Sequence, residues 1–310
     1  MILACVLNVY AIMKLKRARA WLAQLLACGD RLGLISQQRW IAMDKNIHAF
    51  LPILSERGID GSVLIIAFSG GAQKLDVPVH EFFETTKTLG YNRILLRDPY
   101  YMYYHHGVDR ARRDWPSLIA YLRQEIERLQ PKKVLCVGTS SGGYAAIIAG
   151  HHLRADFVHA FSPQTEIAFD RAAIRGARHP LNRWRMTKSR RVYHEVLDLV
   201  PMLSDYNGKT RYFVHYGTGH EIDVHAVSRI AGMPAVTTLG YQCDAHAIAI
   251  FLAKRKFLGH VLVIENQQRL AEIARNHFNG KIRMTLPDEV RFTAAEPRNE
   301  DTSQSHLPRM

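Results

Sequence analysis

The amino-acid sequence predicts an α/β protein of three layers, in which helices cover both faces of a doubly wound, mostly parallel sheet. Short apolar runs such as 62–68 (SVLIIAF) alternate with segments of helical periodicity such as 115–129. Strands that are apolar throughout are typical of parallel sheets, because such sheets are buried on both faces. The chain has 310 residues, of which 47% are hydrophobic, so it can bury a core of this size.

Strands and helices alternate along most of the chain. Gly90 and Pro131 close two of the helices, since neither residue type continues a helix readily. The strands are predicted at 62–68, 93–96, 133–137, 156–161, 211–216 and 234–239, and the helices at 79–89, 115–129, 144–150 and 245–258. This alternation indicates parallel strands joined by right-handed crossovers.

The chain divides into three predicted parts. Residues 1–59 form an N-terminal helical segment, residues 60–286 the α/β domain, and residues 287–310 a polar tail with little periodicity that we expect to be disordered. Within the domain, residues 164–209 interrupt the alternation and carry many arginines around Trp184. We therefore expect a cap-like, Arg-rich insertion over one edge of the sheet.

The N-terminal segment does not have the pattern of a secretory signal. Residues 1–13 are mostly apolar and the basic residues follow them, whereas a signal peptide carries its positive charge first. The stretch is also too short to span a bilayer. Apolar positions continue at helical spacing through Trp21 and Leu26, so we expect an amphipathic helix that packs on the domain. Contact with a membrane surface is the alternative, and we expect a cytoplasmic or membrane-associated protein.

The formal net charge of +13 favours an anionic partner, although a solvated basic surface explains it equally well. No nucleic-acid-binding motif is present, so we expect no nucleic-acid partner. The four cysteines form no C-x-x-C pair and have no histidine at metal-ligand spacing, which argues against a zinc site and a disulfide framework. No metal or organic cofactor is implied.

The segment Gly138-Thr139-Ser140-Ser141-Gly142 fits the pattern G-x-S-x-G. It follows the apolar strand 133–137 and precedes a helix of small residues, which is the setting of a nucleophile elbow. The elbow strains the serine backbone and leaves room only for small residues two positions before and after it. A phosphate-binding loop is the alternative, but the segment lacks the lysine of a P-loop and the spacing G-x-G-x-x-G.

In this motif and its setting, the chain resembles the α/β-hydrolase superfamily over about residues 60–259. The resemblance implies Ser140 as the nucleophile, followed along the chain by an acid and then a histidine. Asp223, after the strand 211–216, matches the position of the acid, with Glu221 as the second candidate. Asp223 would otherwise serve as a helix N-cap.

His246 lies at the start of the predicted helix 245–258 and, among 16 histidines, matches the position of the base. Its competitors are His220 and His225. In the mechanism that the resemblance implies, His246 takes the proton of Ser140 and Asp223 orients the imidazole.

An oxyanion hole requires two backbone N–H groups that point at the tetrahedral intermediate. The resemblance implies the amide of Ser141 as one donor. The other is expected from Ser69, Gly70 or Gly71, which end an early strand.

Two further residues follow strands at the expected active-site edge. Gln164 lies just after the strand 156–161, and Arg97 just after the strand 93–96. Both are candidates for contact with substrate.

The function implied by the resemblance is a serine hydrolase of the esterase, thioesterase or acyltransferase type, which acts through an acyl-enzyme. The expected substrate is an acyl group on a small molecule or a glycan. An anionic substrate is one possibility that the basic net charge favours. The alternative is a catalytically silent α/β-hydrolase-like module that binds a partner in glycan or envelope assembly.

Overall fold

The computed structural model describes residues 51–76, 82, 86–167 and 196–287. The strands of these residues are β1 (Ile53–Glu56), β2 (Val63–Phe68), β3 (Asn92–Leu96), β4 (Lys133–Thr139), β5 (Phe157–Phe161), β6 (Arg211–Gly217), β7 (Val236–Tyr241) and β8 (Ile282–Thr285). They form one sheet of eight strands in the order β1-β3-β2-β4-β5-β6-β7-β8. Strands β2 to β7 are parallel, and the edge strands β1 and β8 are antiparallel to their neighbours.

The helices described are α1 (Trp115–Leu129), α2 (Ser141–Leu153), α3 (Leu199–Ser204), α4 (Glu221–Ser228), α5 (Ile248–Lys254), α6 (Leu258–Leu262) and α7 (Leu270–His277), with a 3₁₀ turn at Ile264–Arg269. Within this part of the chain, no helix combines the length and the apolar character that a bilayer crossing requires.

The sheet is covered on both faces, as the apolar strands predict. In β2 every residue is buried, and successive side chains alternate between two separate cores. Leu64 and Ile66 pack into the core that α1 and α2 cover, whereas Ile65 and Ala67 pack into the core of α5, α6 and α7. This arrangement confirms the predicted three-layer α/β architecture with a mostly parallel sheet.

Helix α1 has the predicted bounds because its ends carry strong local signals. Asp114 accepts a hydrogen bond from the Ser117 amide at 2.9 Å, and the Ser117 hydroxyl accepts one from the Asp114 amide at 3.2 Å. This capping box satisfies amides that have no acceptor within the helix. The helix ends where Gln130 adopts a left-handed conformation with φ 48°, before Pro131.

The sheet extends beyond the predicted strands at both edges. Strand β1 lies before residue 60, where the sequence predicted a helical segment, and β8 lies in a stretch with no predicted strand. Both are four-residue edge strands, which are too short to show periodicity and are stabilised by pairing with β3 and β7. Strand β1 therefore lies before residue 60, the predicted start of the α/β domain.

One predicted helix is shorter in the structure. Within the predicted range 245–258 only α5 (Ile248–Lys254) is a full helix, and α6 begins at Leu258, because Lys256 adopts a left-handed conformation with φ 56° between them. The predicted N-terminal helix and tail, the greater part of the helix 79–89, and residues 168–195 of the Arg-rich insertion lie outside the described residues.

A chain of buried polar side chains crosses the sheet from β7 to the 3₁₀ turn. His159 Nδ1 lies 3.0 Å from His215 Nε2, His215 Nδ1 lies 2.9 Å from the Tyr241 hydroxyl, and His159 Nε2 lies 2.7 Å from Gln267 Oε1. Because the Gln267 amide nitrogen donates to two carbonyls, its Oε1 must accept a proton from His159 Nε2. Burial lowers the pKa of both histidines and so favours neutral imidazoles. With both rings neutral, His215 donates to His159 and Tyr241 donates to His215.

We predict that this network makes the fold acid-sensitive. Burial lowers the pKa of His159 to about 4 and that of His215 well below its usual range. A histidine that is harder to protonate in the fold contributes stability that is present above pH ~6.5 and lost as pH falls toward about 4. The free energy of unfolding should fall by about 3 kcal/mol over this interval, measured by urea denaturation at several pH values.

The control is His277→Gln, which removes an exposed imidazole outside the buried network. His159→Phe should be less stable at neutral pH but should show a flatter decline with acid. Equal slopes in the wild type and His159→Phe would contradict the assignment.

Candidate active site

Ser140 lies at a sharp bend between β4 and α2. Its backbone has φ 52° and ψ −118°, a conformation that a non-glycine residue rarely adopts. The Ser140 amide donates to the Phe161 carbonyl at 2.8 Å, and its carbonyl accepts from the Tyr144 amide at 3.1 Å. The strained residue is therefore held by both β5 and the first turn of α2.

Two glycines make the bend sterically possible. A Cβ atom on Gly138 would lie 2.0 Å from the Gly142 carbonyl oxygen, and one on Gly142 would lie 2.2 Å from the Phe68 carbonyl oxygen. Real Cβ atoms do not approach backbone atoms so closely, and backbone cannot rotate away as a side chain can. Both glycines of the sequence motif are thus required by close backbone packing.

We predict that Gly142→Ala disrupts this bend. The added methyl group would push α2 away from the end of β2, which should destabilise the protein by about 2 kcal/mol or more and displace Ser140. Thermal or urea unfolding measures the loss. Gly259→Ala in α6 is the matched control, because a Cβ there meets no atom of the described residues within 4 Å. A Gly142→Ala protein as stable as the Gly259→Ala protein would contradict this account.

The structure brings together the three residues that the resemblance implied as a triad. His246 Nε2 lies 3.1 Å from Ser140 Oγ, and His246 Nδ1 lies 2.8 Å and 3.0 Å from the two carboxylate oxygens of Asp223. Asp223 is 2% exposed, whereas the His246 ring is partly open to solvent. Asp223 stands in the first turn of α4 after β6, and His246 stands between β7 and α5.

The acid raises the basicity of the imidazole. The hydrogen bond from His246 to Asp223 raises the pKa of His246 above its usual range, and this effect outweighs the opposing effect of burial. An ionised carboxylate only accepts hydrogen bonds, so Nδ1 carries the proton and Nε2 of the neutral ring is free to accept one from Ser140. The arrangement can therefore take a proton from Ser140.

His220, a competitor for the base, lies beside the acid instead. Its Nδ1 accepts a hydrogen bond from the Asp223 amide at 3.3 Å, and its ring centroid lies 5.2 Å from that of His246. His220 thus caps α4 and helps to hold Asp223. Glu221, the second candidate for the acid, is exposed, as is His225.

His220, Asp223 and His246 are also the described residues that could hold a metal ion, with ligand atoms within 4.8 Å of one another. A metal there would replace the proton that His246 shares with Asp223, and it would take the His220 nitrogen that caps α4. The observed hydrogen bonds therefore fit a proton-transfer site better than a metal site.

The loop after β2 narrows the choice of a second oxyanion donor. The Ser69 amide donates to the Leu96 carbonyl and the Gly70 amide to the Lys74 carbonyl, each at 2.9 Å. Of the three predicted residues, Gly71 therefore remains as the candidate. Ser141 is the first residue of α2, where amides have no acceptor within the helix, so its amide is suited to receive an anion.

The two predicted substrate-binding residues differ in their surroundings. Gln164 follows β5, and its buried Oε1 has no hydrogen-bond donor among the described residues. Arg97 is 5% exposed and donates to the Leu51 carbonyl at 2.7 Å, and burial lowers its pKa to about 10. Arg97 thus contacts the segment just before β1, and its contact with substrate stays a prediction.

One charged residue of the site was not among those predicted from the sequence. Asp76, in the loop after β2, interacts electrostatically with both His246 and Asp223. It belongs to no motif and lies far from both in sequence, so only the folded chain reveals it.

No protein-family model matches the chain, and neither does any curated protein. Solved structures similar to it include a capsule O-acetyltransferase of Neisseria meningitidis serogroup A, 16% identical with a TM-score of 0.48, where the match covers 67% of this chain and 90% of that one. MenH from S. aureus is 14% identical with a TM-score of 0.47, over 70% of this chain and 98% of that one. A Pyrococcus furiosus esterase is 12% identical with a TM-score of 0.44, over 78% and 97%.

These similarities are weak, and no activity follows from them. The fold assignment depends on the chain itself: a mostly parallel sheet, a strained serine between a strand and a helix, and the chain order Ser140, Asp223, His246. The chain therefore has the fold of the α/β-hydrolase superfamily, which confirms the resemblance seen in its sequence.

Proposed function

We propose that this protein is a serine hydrolase or acyltransferase that works through a covalent acyl-enzyme on Ser140. The observation that carries the proposal is the continuous hydrogen-bonded path from Ser140 Oγ through His246 to Asp223. Nucleophile, base and orienting acid are all within hydrogen-bond reach, which is the arrangement that activates a serine hydroxyl.

The chemistry begins when Ser140 Oγ attacks the acyl carbon of an ester or thioester while His246 Nε2 takes the hydroxyl proton. Asp223 stabilises the imidazolium that forms, and the amides of Ser141 and Gly71 are the proposed donors to the oxyanion. Collapse of the tetrahedral intermediate breaks the bond to the leaving group, which receives the proton from Nε2. Water or another acceptor then repeats the sequence and releases the acyl group.

The proposed substrate is an acyl group carried by a small molecule or a glycan. Gln164 is the proposed contact residue, because its buried Oε1, which has no donor among the described residues, suits a hydroxyl or amide group of the substrate.

A fluorophosphonate probe tests the proposal directly. We expect one probe molecule per chain, attached to Ser140 when the labelled peptide is sequenced by mass spectrometry, and a burst of product with p-nitrophenyl acetate. A folded protein that the probe leaves unlabelled would overturn the enzyme assignment and favour the catalytically silent module.

The pH dependence of activity should report the protonation of His246. Only the neutral imidazole accepts the Ser140 proton, so kcat/KM should fall as pH decreases through the pKa of His246. Because the bond to Asp223 raises that pKa, the midpoint of the acid limb should lie above about 6.5. Esterase assays between pH 5 and 9 measure it, and a midpoint below that value would argue against an ionised Asp223 partner.

A further inference from the structure

The loop between β2 and residue 76 connects two parts of the proposed site. The Gln73 amide donates to the Gly70 carbonyl at 2.8 Å, and a Cβ on Gly70 would lie 2.7 Å from the Thr139 carbonyl oxygen, immediately before the nucleophile. Leu75 is 2% exposed and anchors the loop in the core of α5 to α7. The loop that carries Gly71 is therefore packed against the end of β4.

Asp76, the last described residue of this loop, reaches the helix that follows His246. Its Oδ2 lies 3.4 Å from the amide of Ala249 in the first turn of α5. The N-cap residue of that helix is Ala247, which has no side chain that can accept from a free amide. A carboxylate at a helix N-terminus also interacts favourably with the helix dipole. Asp76 thus supplies, from a distant part of the chain, the cap that α5 lacks.

Asp76 lies in an environment with charges of both signs. His246 and Lys74 favour its ionised form, whereas Asp223 and burial oppose it, and burial has the largest effect and raises the pKa of Asp76 to about 6. Conversely, Asp76 helps Asp223 to raise the pKa of His246, and the His220 ring packs at 5.2 Å on the same imidazole. Above pH 6 the carboxylate is mostly ionised, so it is charged when His246 titrates.

We propose that Asp76 is a positioning residue for His246, which holds the first turn of α5 and stabilises the imidazolium with its negative charge. The inference rests on the proposed function, since the imidazolium forms when Ser140 attacks. It assigns a second acid to the site besides Asp223. It also links the loop that carries Gly71 to the helix that follows the base.

Two substitutions separate the charge of Asp76 from its hydrogen bond. Asp76→Asn keeps an oxygen that can accept from Ala249 but removes the charge, whereas Asp76→Ala removes both. The pKa of His246 should be followed by NMR of its ring Cε1 proton, assigned by its absence in His246→Gln. We expect Asp76→Asn to lower that pKa by about half a unit to one unit.

The rate of fluorophosphonate labelling should depend on pH through the same group. In Asp76→Asn the acid limb of that pH dependence should therefore move toward lower pH by the same amount. Asp76→Ala should show this shift and, in addition, a limiting labelling rate about tenfold lower, because α5 loses its cap. Asp244→Asn is the matched control: Asp244 is an exposed carboxylate two residues before His246, and its replacement should move neither value.

An unchanged pKa of His246 in Asp76→Asn would overturn the proposal, as would an equal shift in Asp244→Asn. The NMR titration does not depend on activity. The pKa of His246 could fall as expected in Asp76→Asn while the wild-type protein is never labelled. That result would refute the proposed function but support the charge interaction between Asp76 and His246.

Discussion

Replacing Ser140 with alanine is expected to abolish fluorophosphonate labelling and to reduce esterase turnover by about a millionfold, the loss that removal of the nucleophile causes in a serine protease. The reason is that no acyl-enzyme can form without Oγ, while His246 and Asp223 keep their places. The residual rate should come from the oxyanion donors and from substrate binding alone. Turnover of p-nitrophenyl acetate and the mass of the probe-treated protein measure the effect.

The matched control is Ser204→Ala, because Ser204 is exposed in α3 and its hydroxyl donates to the Val200 carbonyl of its own helix. That variant should be labelled as fast as the wild type. If Ser140→Ala kept the labelling, the nucleophile would be another residue. Because alanine must adopt the same positive φ as serine at this position, urea unfolding of the variant verifies that the bend is intact.

The elbow could be predicted from the sequence because its constraint is local. Gly138 and Gly142 lie next to each other in space through a bend of a few residues, so their spacing in the sequence records the steric requirement directly. The same holds for α1, whose capping box spans only Asp114 to Ser117. Such features need no knowledge of how distant segments meet.

Other parts of the site depend on contacts between distant segments. Asp76 caps a helix 173 residues away in sequence, and His159 bonds to Gln267 across 108 residues. No pattern within a window of sequence records such pairs. The choice among Ser69, Gly70 and Gly71 depended on which amides the sheet and the loop had already engaged, and only coordinates show that.

The surroundings of Arg97 depend on a strand that the sequence did not predict. It follows β3 at the edge where active-site residues of parallel sheets gather, so a substrate contact was expected. In the folded chain its guanidinium turns to the Leu51 carbonyl, because β1 pairs antiparallel with β3 and brings that carbonyl within reach. The prediction missed this because β1 itself was not predicted.

Asp223→Asn is expected to lower kcat by about ten-thousandfold, the loss that the same change causes in a serine protease, while the protein remains folded. The amide group is nearly the same size as the carboxylate, so the packing of this 2%-exposed residue should be kept. The chemical consequence is that the proton of the imidazole moves to the other ring nitrogen. An amide NH₂ donates to His246 Nδ1, so the neutral ring carries its proton on Nε2 and presents a donor to Ser140 Oγ.

Glu221→Gln tests whether the neighbouring carboxylate shares this role. Glu221 stands two residues earlier in the first turn of α4 and is exposed, so its replacement should leave kcat within a factor of about two. The acid limb of the pH profile separates the two residues further. Loss of the Asp223 charge should lower the pKa of His246. Glu221→Gln should leave the acid limb in place, because Asp223 and Asp76 are the carboxylates among the described residues that raise that pKa. Equal losses of activity in the two variants would mean that the Asp223 carboxylate stabilises helix α4 and does not orient the imidazole.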